Sequence, residues 1–146
     1  MLKTVMCMHG EAINFYSCPE CYKMAYEYKP DGNITLSQAM SESYSNAKEK
    51  GFHNVNQSFG DKMMLAVSEL AEALEEYRNG CGVQTIYFVL DSEGKPKPEG
   101  VPIEIIDCMI RLFDNCGYYN IPITQIYMLK TEYNKSRPHL HGNKKL

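Results

Sequence analysis

The sequence predicts an all-α fold: a bundle of four helices behind a small cysteine-rich segment. Three observations support this prediction. Helical periodicity runs through most of the chain from Thr35 onward, glycine and proline residues separate four such stretches, and one short β-like run interrupts them. The 146 residues fit one domain with an appendage. We therefore divide the chain into an N-terminal segment, 1–30, and a helical domain, 35–146.

Start and stop residues set the approximate bounds of the four helices, which are 35–50, 58–79, 102–117 and 123–134. Ser58 followed by Asp61 resembles a capping box at the start of the second helix. In the connection 81–100, Thr85–Leu90 is typical of a short strand, and the turn residues 91–94 follow it. This connection can therefore form a short β-hairpin.

Composition narrows the function classes. The net charge of −3 argues against a general nucleic-acid-binding protein, which usually has a basic excess. No apolar run approaches the roughly 20 residues that span a bilayer, so we expect no membrane association. The first residues lack the long apolar stretch of a signal peptide, and we therefore expect a cytoplasmic protein.

Acidic residues recur at helical spacing on the second and third predicted helices. Glu69, Glu72 and Glu76 fall on one stripe of the second, and Glu104 and Asp107 share a stripe of the third. Each stripe can be a solvated face of an amphipathic helix. Alternatively, antiparallel packing brings the carboxylates together, which is costly unless a cation binds there. Oxygen ligands would favour Mg²⁺, or Mn²⁺, over zinc.

The same residues carry a family resemblance. Residues 68–78 (SELAEALEEYR) and 97–107 (KPEGVPIEIID) contain an E-x-x-E helix, a spacer and an E-x-x-D helix, and 130–138 (KTEYNKSRP) follow. Together these segments resemble the MazG-type all-α nucleotide pyrophosphohydrolases over roughly residues 35–146. The resemblance implies a MazG-like four-helix bundle in a homodimer or homotetramer. It also implies Mg²⁺-dependent hydrolysis of a nucleoside triphosphate to the monophosphate and pyrophosphate, by attack of water at the α-phosphate.

The resemblance also assigns residues. It implies four Mg²⁺ ligands: Glu69, Glu72, Glu104 and Asp107. A glutamate of the second helix would orient the attacking water, and the candidates are Glu72, Glu75 and Glu76. The outer phosphates would be held by Lys130, Asn134, Lys135 and Arg137. The alternative for these last residues is a solvated helix end.

Two other functions remain open at this stage. The bundle can be a non-catalytic binding or regulatory module stabilised by zinc. It can also be a dUTPase-like enzyme of the same superfamily, with a different substrate in the nucleotide pool. The sequence does not identify the base or the sugar.

The N-terminal segment contains four candidate zinc ligands within fifteen positions: Cys7, His9, Cys18 and Cys21. The Cys-Pro-x-Cys turn is typical of a zinc knuckle, and three cysteines with one histidine are a known structural zinc set. We therefore predict a small, zinc-ribbon-like appendage. The alternative is that these cysteines are reduced and packed under aromatic side chains.

Overall fold

A computed structural model describes residues 6–12, 18–27 and 32–139. Within them the chain is mostly helical, with a two-stranded antiparallel sheet, as predicted. The helices are α1 Pro19–Tyr26, α2 Leu36–Glu49, α3 Phe59–Arg78, α4 Val101–Tyr118 and α5 Ile123–Lys135; the strands are β1 Tyr87–Leu90 and β2 Pro96–Glu99. The proposed boundary between segment and domain falls partly on residues 28–31, which lie outside the described part of the chain.

Helix α1 was not predicted. The N-terminal segment has no helical periodicity, and α1 instead begins through local chemistry: the Cys18 side chain caps the Cys21 amide, and Pro19 occupies the first turn. The four other helices correspond to the predicted ones. The capping box of Ser58 and Asp61 is present, and Thr35 forms a second one with Gln38.

The end of α4 differs slightly from the prediction. The helix continues past Gly117 to Tyr118, and the left-handed residue that follows is Asn120, with φ 53°. Gly117 serves packing instead, because a Cβ added there would lie 2.6 Å from the Tyr44 Cβ. This glycine therefore allows α2 to approach α4 closely.

The hairpin of β1 and β2 leads directly into α4. Tyr87 lies opposite Glu99, and Leu90 lies opposite Pro96. Gly100 joins β2 to α4 with φ 113° and ψ 168°, a backbone conformation that essentially only glycine adopts. A Cβ added to Gly100 would lie 2.3 Å from the Thr85 carbonyl oxygen. Glycine is therefore required where the hairpin meets the helix.

Helices α3 and α4 pack side by side and run antiparallel. Phe59 at the start of α3 meets Tyr119 just beyond the end of α4, with ring centroids 5.6 Å apart. At the other end, Ala73 of α3 and Val101 of α4 belong to one buried cluster. Helix α2 packs on α4, and α5 packs on α2.

The burial of α3 is the reverse of an ordinary amphipathic helix. Its buried residues are Lys62, Ala66, Glu69 and Ala73. Its apolar face is about half exposed, at Val67, Leu70, Leu74 and Tyr77. Helix α4 repeats this arrangement, since Glu104 is buried while Ile105, Ile106, Met109 and Leu112 are exposed. One glutamate on each helix, Glu69 of α3 and Glu104 of α4, therefore faces inward, while large apolar side chains face outward.

The N-terminal segment shares a core with the helices. Its three cysteines pack in one cluster with Ala73, Cys81, Tyr87 and Val101. The segment is therefore joined to the hairpin and to one end of the α3–α4 pair. In the described part of the chain, no helix has both the length and the apolar character needed to cross a bilayer.

Candidate functional site

Carboxylates of α3 and α4 converge where the two helices face each other. One oxygen each of Glu69, Glu72 and Glu104 lie within 4.8 Å of one another. Glu69 and Glu104 are only 6% exposed, whereas Glu72 is open to solvent. Asp107 lies one turn after Glu104, at the edge of this group, and is half-buried. We call Glu69, Glu72, Glu104 and Asp107 the acidic cluster. The reading of these residues as solvated faces is wrong for Glu69 and Glu104.

Burial and mutual repulsion disfavour the charged forms in this cluster. Burial, followed by the charges of Glu99, Glu72, Asp107 and Glu69, raises the pKa of Glu104 from 4.5 to about 7. Burial, followed by the charge of Glu69, also raises the pKa of Asp107, although Arg111 and Lys97 act in the opposite direction. The site therefore carries a negative potential that a cation would relieve.

Two cationic side chains already contact this region. The Arg111 Nε donates to Glu69 Oε1. The Lys97 Nζ lies 2.6 Å from Glu99 Oε1, and this bond is the first cause of a raised Lys97 pKa, to which Glu104 and Asp107 also contribute. Neither cation is deeply buried, since the Arg111 side chain is 40% exposed and that of Lys97 is 59% exposed. They border the acidic cluster and neutralise part of its charge.

Lys97 and Glu99 had been given no role from the sequence. They lie two positions apart on β2, so both point to the same face of the strand, and that face is directed toward α4. The signal was available in the alternation Pro96-Lys97-Pro98-Glu99. This alternation becomes informative only when β2 is known to be a strand that leads into α4.

The other two candidates for orienting water lie apart from the cluster. Glu75 is exposed and pairs with Arg78 at 2.8 Å. Both oxygens of Glu76 accept from the Tyr87 hydroxyl at 3.1 Å, and one also accepts from the Cys81 thiol at 3.1 Å. Of the three predicted glutamates, Glu72 is the one that the structure brings into the acidic cluster.

A cavity of about 470 Å³ opens beside the acidic cluster, between α2, α3 and α4. Glu69, Asp107 and Arg111 form its border with the cluster. The rest of its lining is mixed, and comprises Ser43, Asn46, Ala47, Phe52, Gln57, Lys62, Leu65, Ile110, Asp114 and Asn115. This volume is typical of small-molecule sites, and amide side chains with one aromatic ring suit a planar polar ligand.

The predicted phosphate-binding residues are not part of this site within one chain. Lys130, Asn134 and Lys135 are exposed on α5, where Lys135 pairs with Glu132 at 3.1 Å. Arg137 lies just beyond α5, and its guanidinium lies 5.9 Å from the Tyr133 ring centroid. Because α5 packs mainly on α2, these residues lie away from the acidic cluster.

The four predicted N-terminal ligands lie together. One atom each of Cys7, His9, Cys18 and Cys21 fall within 4.8 Å of one another. The sulfurs of Cys7 and Cys18 are 3.6 Å apart, and the His9 Nδ1 lies 3.4, 3.5 and 4.0 Å from the sulfurs of Cys18, Cys21 and Cys7. Zinc bonds of about 2.3 Å to sulfur and 2.0–2.1 Å to nitrogen would separate tetrahedral ligands by roughly 3.5–3.8 Å. The cluster could therefore hold a metal such as zinc.

The surroundings of these sulfurs shift the pKa values of Cys7 and Cys21 in opposite directions. Although burial opposes it, backbone hydrogen bonds from His9 and Glu11 lower the pKa of the Cys7 thiol. Burial and the neighbouring thiols raise the pKa of Cys21 to about 12. A cation would offset this penalty, because thiolates are the form that ligates metal.

Comparison of the chain with protein-family models, curated proteins and solved structures finds no match. The molecule is thus defined by its own architecture: a helical protein with an acidic cluster between two antiparallel helices and a separate Cys₃His group that could hold a metal.

Proposed function

We propose that this protein is a Mg²⁺-dependent nucleoside triphosphate pyrophosphohydrolase of the MazG type. The observation that carries this proposal is the reversed burial of α3 and α4, which directs Glu69 and Glu104 inward. Carboxylates repel each other in a buried position; Arg111 neutralises part of this charge, and a bound divalent cation would relieve the remainder. The E-x-x-E and E-x-x-D resemblance of residues 68–78 and 97–107 supports the same conclusion.

Metal binding, orientation of the attacking water and phosphate contact would be carried out by different residues of the site. Glu69, Glu72, Glu104 and Asp107 would hold Mg²⁺, or Mn²⁺, through oxygen ligands. A bound divalent ion would neutralise charge on the triphosphate and lower the pKa of a bound water. Glu72 is best placed to orient the attacking water, because it shares the cluster and remains open to solvent. Arg111 borders both cluster and cavity, so its guanidinium suits a phosphate contact.

The cavity beside the acidic cluster would receive the nucleoside. Its amide side chains at Asn46, Gln57 and Asn115 can hydrogen-bond to a base edge, and Phe52 offers a ring for stacking. A ligand in this cavity would place its phosphates toward Glu69 and Asp107, where they border it. These side chains do not select among bases, so a dUTPase-like substrate remains within the proposal.

The proposal includes a homodimer or homotetramer. The apolar faces of α3 and α4 lie exposed, and burial against a second copy would stabilise both. The exposed α5 carries Ile126, Tyr127, Met128 and Leu129 at 47–73% exposure. Assembly would also be the route by which Lys130, Asn134, Lys135 and Arg137 of one copy reach the triphosphate held by another.

Pyrophosphate release from a panel of ribo- and deoxyribonucleoside triphosphates, with and without Mg²⁺, tests this function. We expect turnover of at least one nucleotide that requires the metal. Glu72→Gln and Asp107→Asn should abolish it without loss of fold. Glu93→Gln is the matched control, because Glu93 is an exposed carboxylate in the hairpin turn. Rates like those of the unmodified protein in both cluster variants would refute the assignment.

We also propose that Cys7, His9, Cys18 and Cys21 bind a structural zinc ion. The distances among their ligand atoms support it, and so does the small size of the segment, whose folding energy a metal would supply. Protein purified without chelator should contain one equivalent of zinc per chain. Cys21→Ser should lose it and Cys116→Ser should retain it, since Cys116 lies on α4. Absence of stoichiometric zinc from the unmodified protein would end this part of the proposal.

The ion pair between Arg111 and Glu69 favours a second candidate function. Arg111 can act as a resident cation, so that the bundle would be a zinc-stabilised binding or regulatory module without turnover. Thermal unfolding discriminates the two functions. Stabilisation by Mg²⁺ and nucleotide together favours the enzyme, whereas no response to either favours the module.

A further inference from the structure

Both halves of the Cys₃His segment form hydrogen bonds with the backbone of one β1 residue, Phe88. The Met8 amide, between Cys7 and His9, donates to the Phe88 carbonyl at 2.6 Å. The Phe88 amide donates to the Cys21 sulfur at 3.4 Å. Both backbone groups of Phe88 are thus bound by the segment that contains the four ligands.

The pairing of the hairpin explains why these two groups of Phe88 are free to bind the segment. Phe88 lies opposite Pro98, whose nitrogen has no hydrogen to donate across the strand pair. The backbone N–H and C=O of Phe88 therefore face the outer edge of β1, where leaving a donor and an acceptor unpaired would cost free energy. The Cys₃His segment covers this edge.

The other edge of β1 pairs with β2, the strand that carries Lys97 and Glu99. Tyr87 and Val89, on either side of Phe88, lie opposite Glu99 and Lys97. Glu99 contributes to the electrostatics of Glu104, and Lys97 to those of Asp107. Backbone hydrogen bonds thus link the Cys₃His group to β1, which pairs with β2, and β2 continues through Gly100 into α4, the helix that carries Glu104 and Asp107.

We propose that a zinc ion bound by Cys7, His9, Cys18 and Cys21 clamps β1, and that this clamp positions Glu99 and Lys97 beside the acidic cluster. The proposal rests on the zinc binding proposed above and does not require turnover. The ion holds the two halves of the segment together, and Phe88 binds one group from each half. Loss of zinc would separate the halves, release β1 and leave Glu99 and Lys97 without a fixed position.

Hydrogen exchange of the full chain, measured by mass spectrometry, tests the clamp. The unmodified protein is compared before zinc removal with a chelator, after removal and dialysis, and after zinc is restored. We expect residues 87–99 to lose protection without zinc and to regain it on reloading, while α2 retains its protection throughout. Cys21→Ser should resemble the zinc-free protein, and Cys116→Ser should resemble the loaded one.

The affinity of the acidic cluster for Mn²⁺, measured by electron paramagnetic resonance, tests the second half of the proposal. Zinc-free protein should bind Mn²⁺ about tenfold more weakly, the loss typical when groups that support metal ligands are disturbed. Glu99→Gln should weaken Mn²⁺ binding with full zinc content and unchanged protection of 87–99. Unchanged protection and unchanged Mn²⁺ affinity after zinc removal would overturn the clamp. A chain that never binds zinc would refute it too, and would leave the proposed hydrolysis standing.

Discussion

At the scale of single residues, Glu104 shows most clearly how burial and like charges disfavour the ionised form of an acid in the acidic cluster. It is 6% exposed, lies within 4.8 Å of Glu69 and Glu72 through its ligand oxygens, and has a pKa of about 7. Its unfolded-state value is near 4.5. The folded protein therefore binds this proton more tightly than the unfolded chain does.

A pH dependence of stability follows for the metal-free protein. Between pH 4.5 and about 7 the folded state retains the Glu104 proton that the unfolded chain has lost, so the free energy of unfolding falls as pH rises through this window. Urea unfolding at pH 5 and pH 8 measures the fall. Glu104→Gln should make the fall smaller and should raise stability at pH 8. The same pH dependence in this variant and in the unmodified protein would contradict the prediction.

Gly100 is a second residue on which the site depends, because it sets the start of α4. Gly100→Ala should destabilise the fold by about 1–3 kcal/mol from backbone strain alone, and by more from the contact with the Thr85 carbonyl. Gly94→Ala is the matched control, since Gly94 has φ 76° but open space around its added Cβ. Thermal unfolding measures both. Equal losses in the two variants would mean that the Thr85 contact adds nothing.

At this scale, the sequence predicted site residues where their spacing along the chain was the signal. The structure brings together the four predicted N-terminal ligands and three of the four predicted acids, Glu69, Glu72 and Glu104, whereas Asp107 lies outside that group. The ion pair between Arg111 and Glu69 was not predicted, because the two residues lie 42 positions apart and periodicity gives no information about such a pair. The role of Glu99 depends likewise on the path of the hairpin.

At the scale of elements, a polar contact of Tyr87 joins the hairpin to α3. The Tyr87 hydroxyl donates to both oxygens of Glu76, and Tyr87 is only 4% exposed. Burial and the charge of Glu76 raise the pKa of Tyr87, so this hydroxyl remains a donor over the working pH range. Glu76 therefore has a structural contact that the sequence did not suggest.

Removal of this hydroxyl should loosen the hairpin. Tyr87→Phe leaves Glu76 with the Cys81 thiol as its remaining described partner, so we expect a loss of about 1–3 kcal/mol in the free energy of unfolding. Chemical denaturation measures it. Tyr22→Phe is the control, because Tyr22 is 56% exposed on α1. A change as small in Tyr87→Phe as in the control would show that the contact contributes little.

The elements differ in how well the sequence predicted them. Capping residues gave the starts of α2 and α3 because caps act within a single turn. A hairpin was predicted in the connection 81–100, but the position of its second strand was not, because Pro96 and Pro98 argue against a strand by propensity. They are tolerated because β2 is an edge strand of a two-stranded sheet.

At the scale of the whole molecule, the sequence predicted the number of main helices but not which faces pack together. Periodicity separates an acidic face of α3 from an apolar one, and the usual expectation buries the apolar face. The structure does the opposite. The sequence alone leaves both arrangements open, because periodicity separates the two faces of a helix without determining which of them packs.

The exposed apolar faces predict self-association. Size-exclusion chromatography with light scattering should give a dimer or tetramer at micromolar concentration. Leu74→Asp should shift it toward the monomer, because Leu74 is 47% exposed on the outer face of α3. Val83→Asp is the control, an equally apolar and 64% exposed position in the loop before β1. A monomeric unmodified protein would contradict the assembly and leave the predicted phosphate-binding residues without a route to the site.

If acids from α3 and α4 share a divalent cation, crystals grown with Mn²⁺ should contain that ion between the two helices. Anomalous diffraction should show Mn²⁺ bonded to oxygens of Glu69, Glu72 and Glu104, at about the 2.0–2.2 Å typical of small divalent ions. Arg111 should then have released at least one Glu69 oxygen. A structure with no Mn²⁺ between these helices, and with Arg111 still bound to Glu69 at saturating metal, would contradict the account.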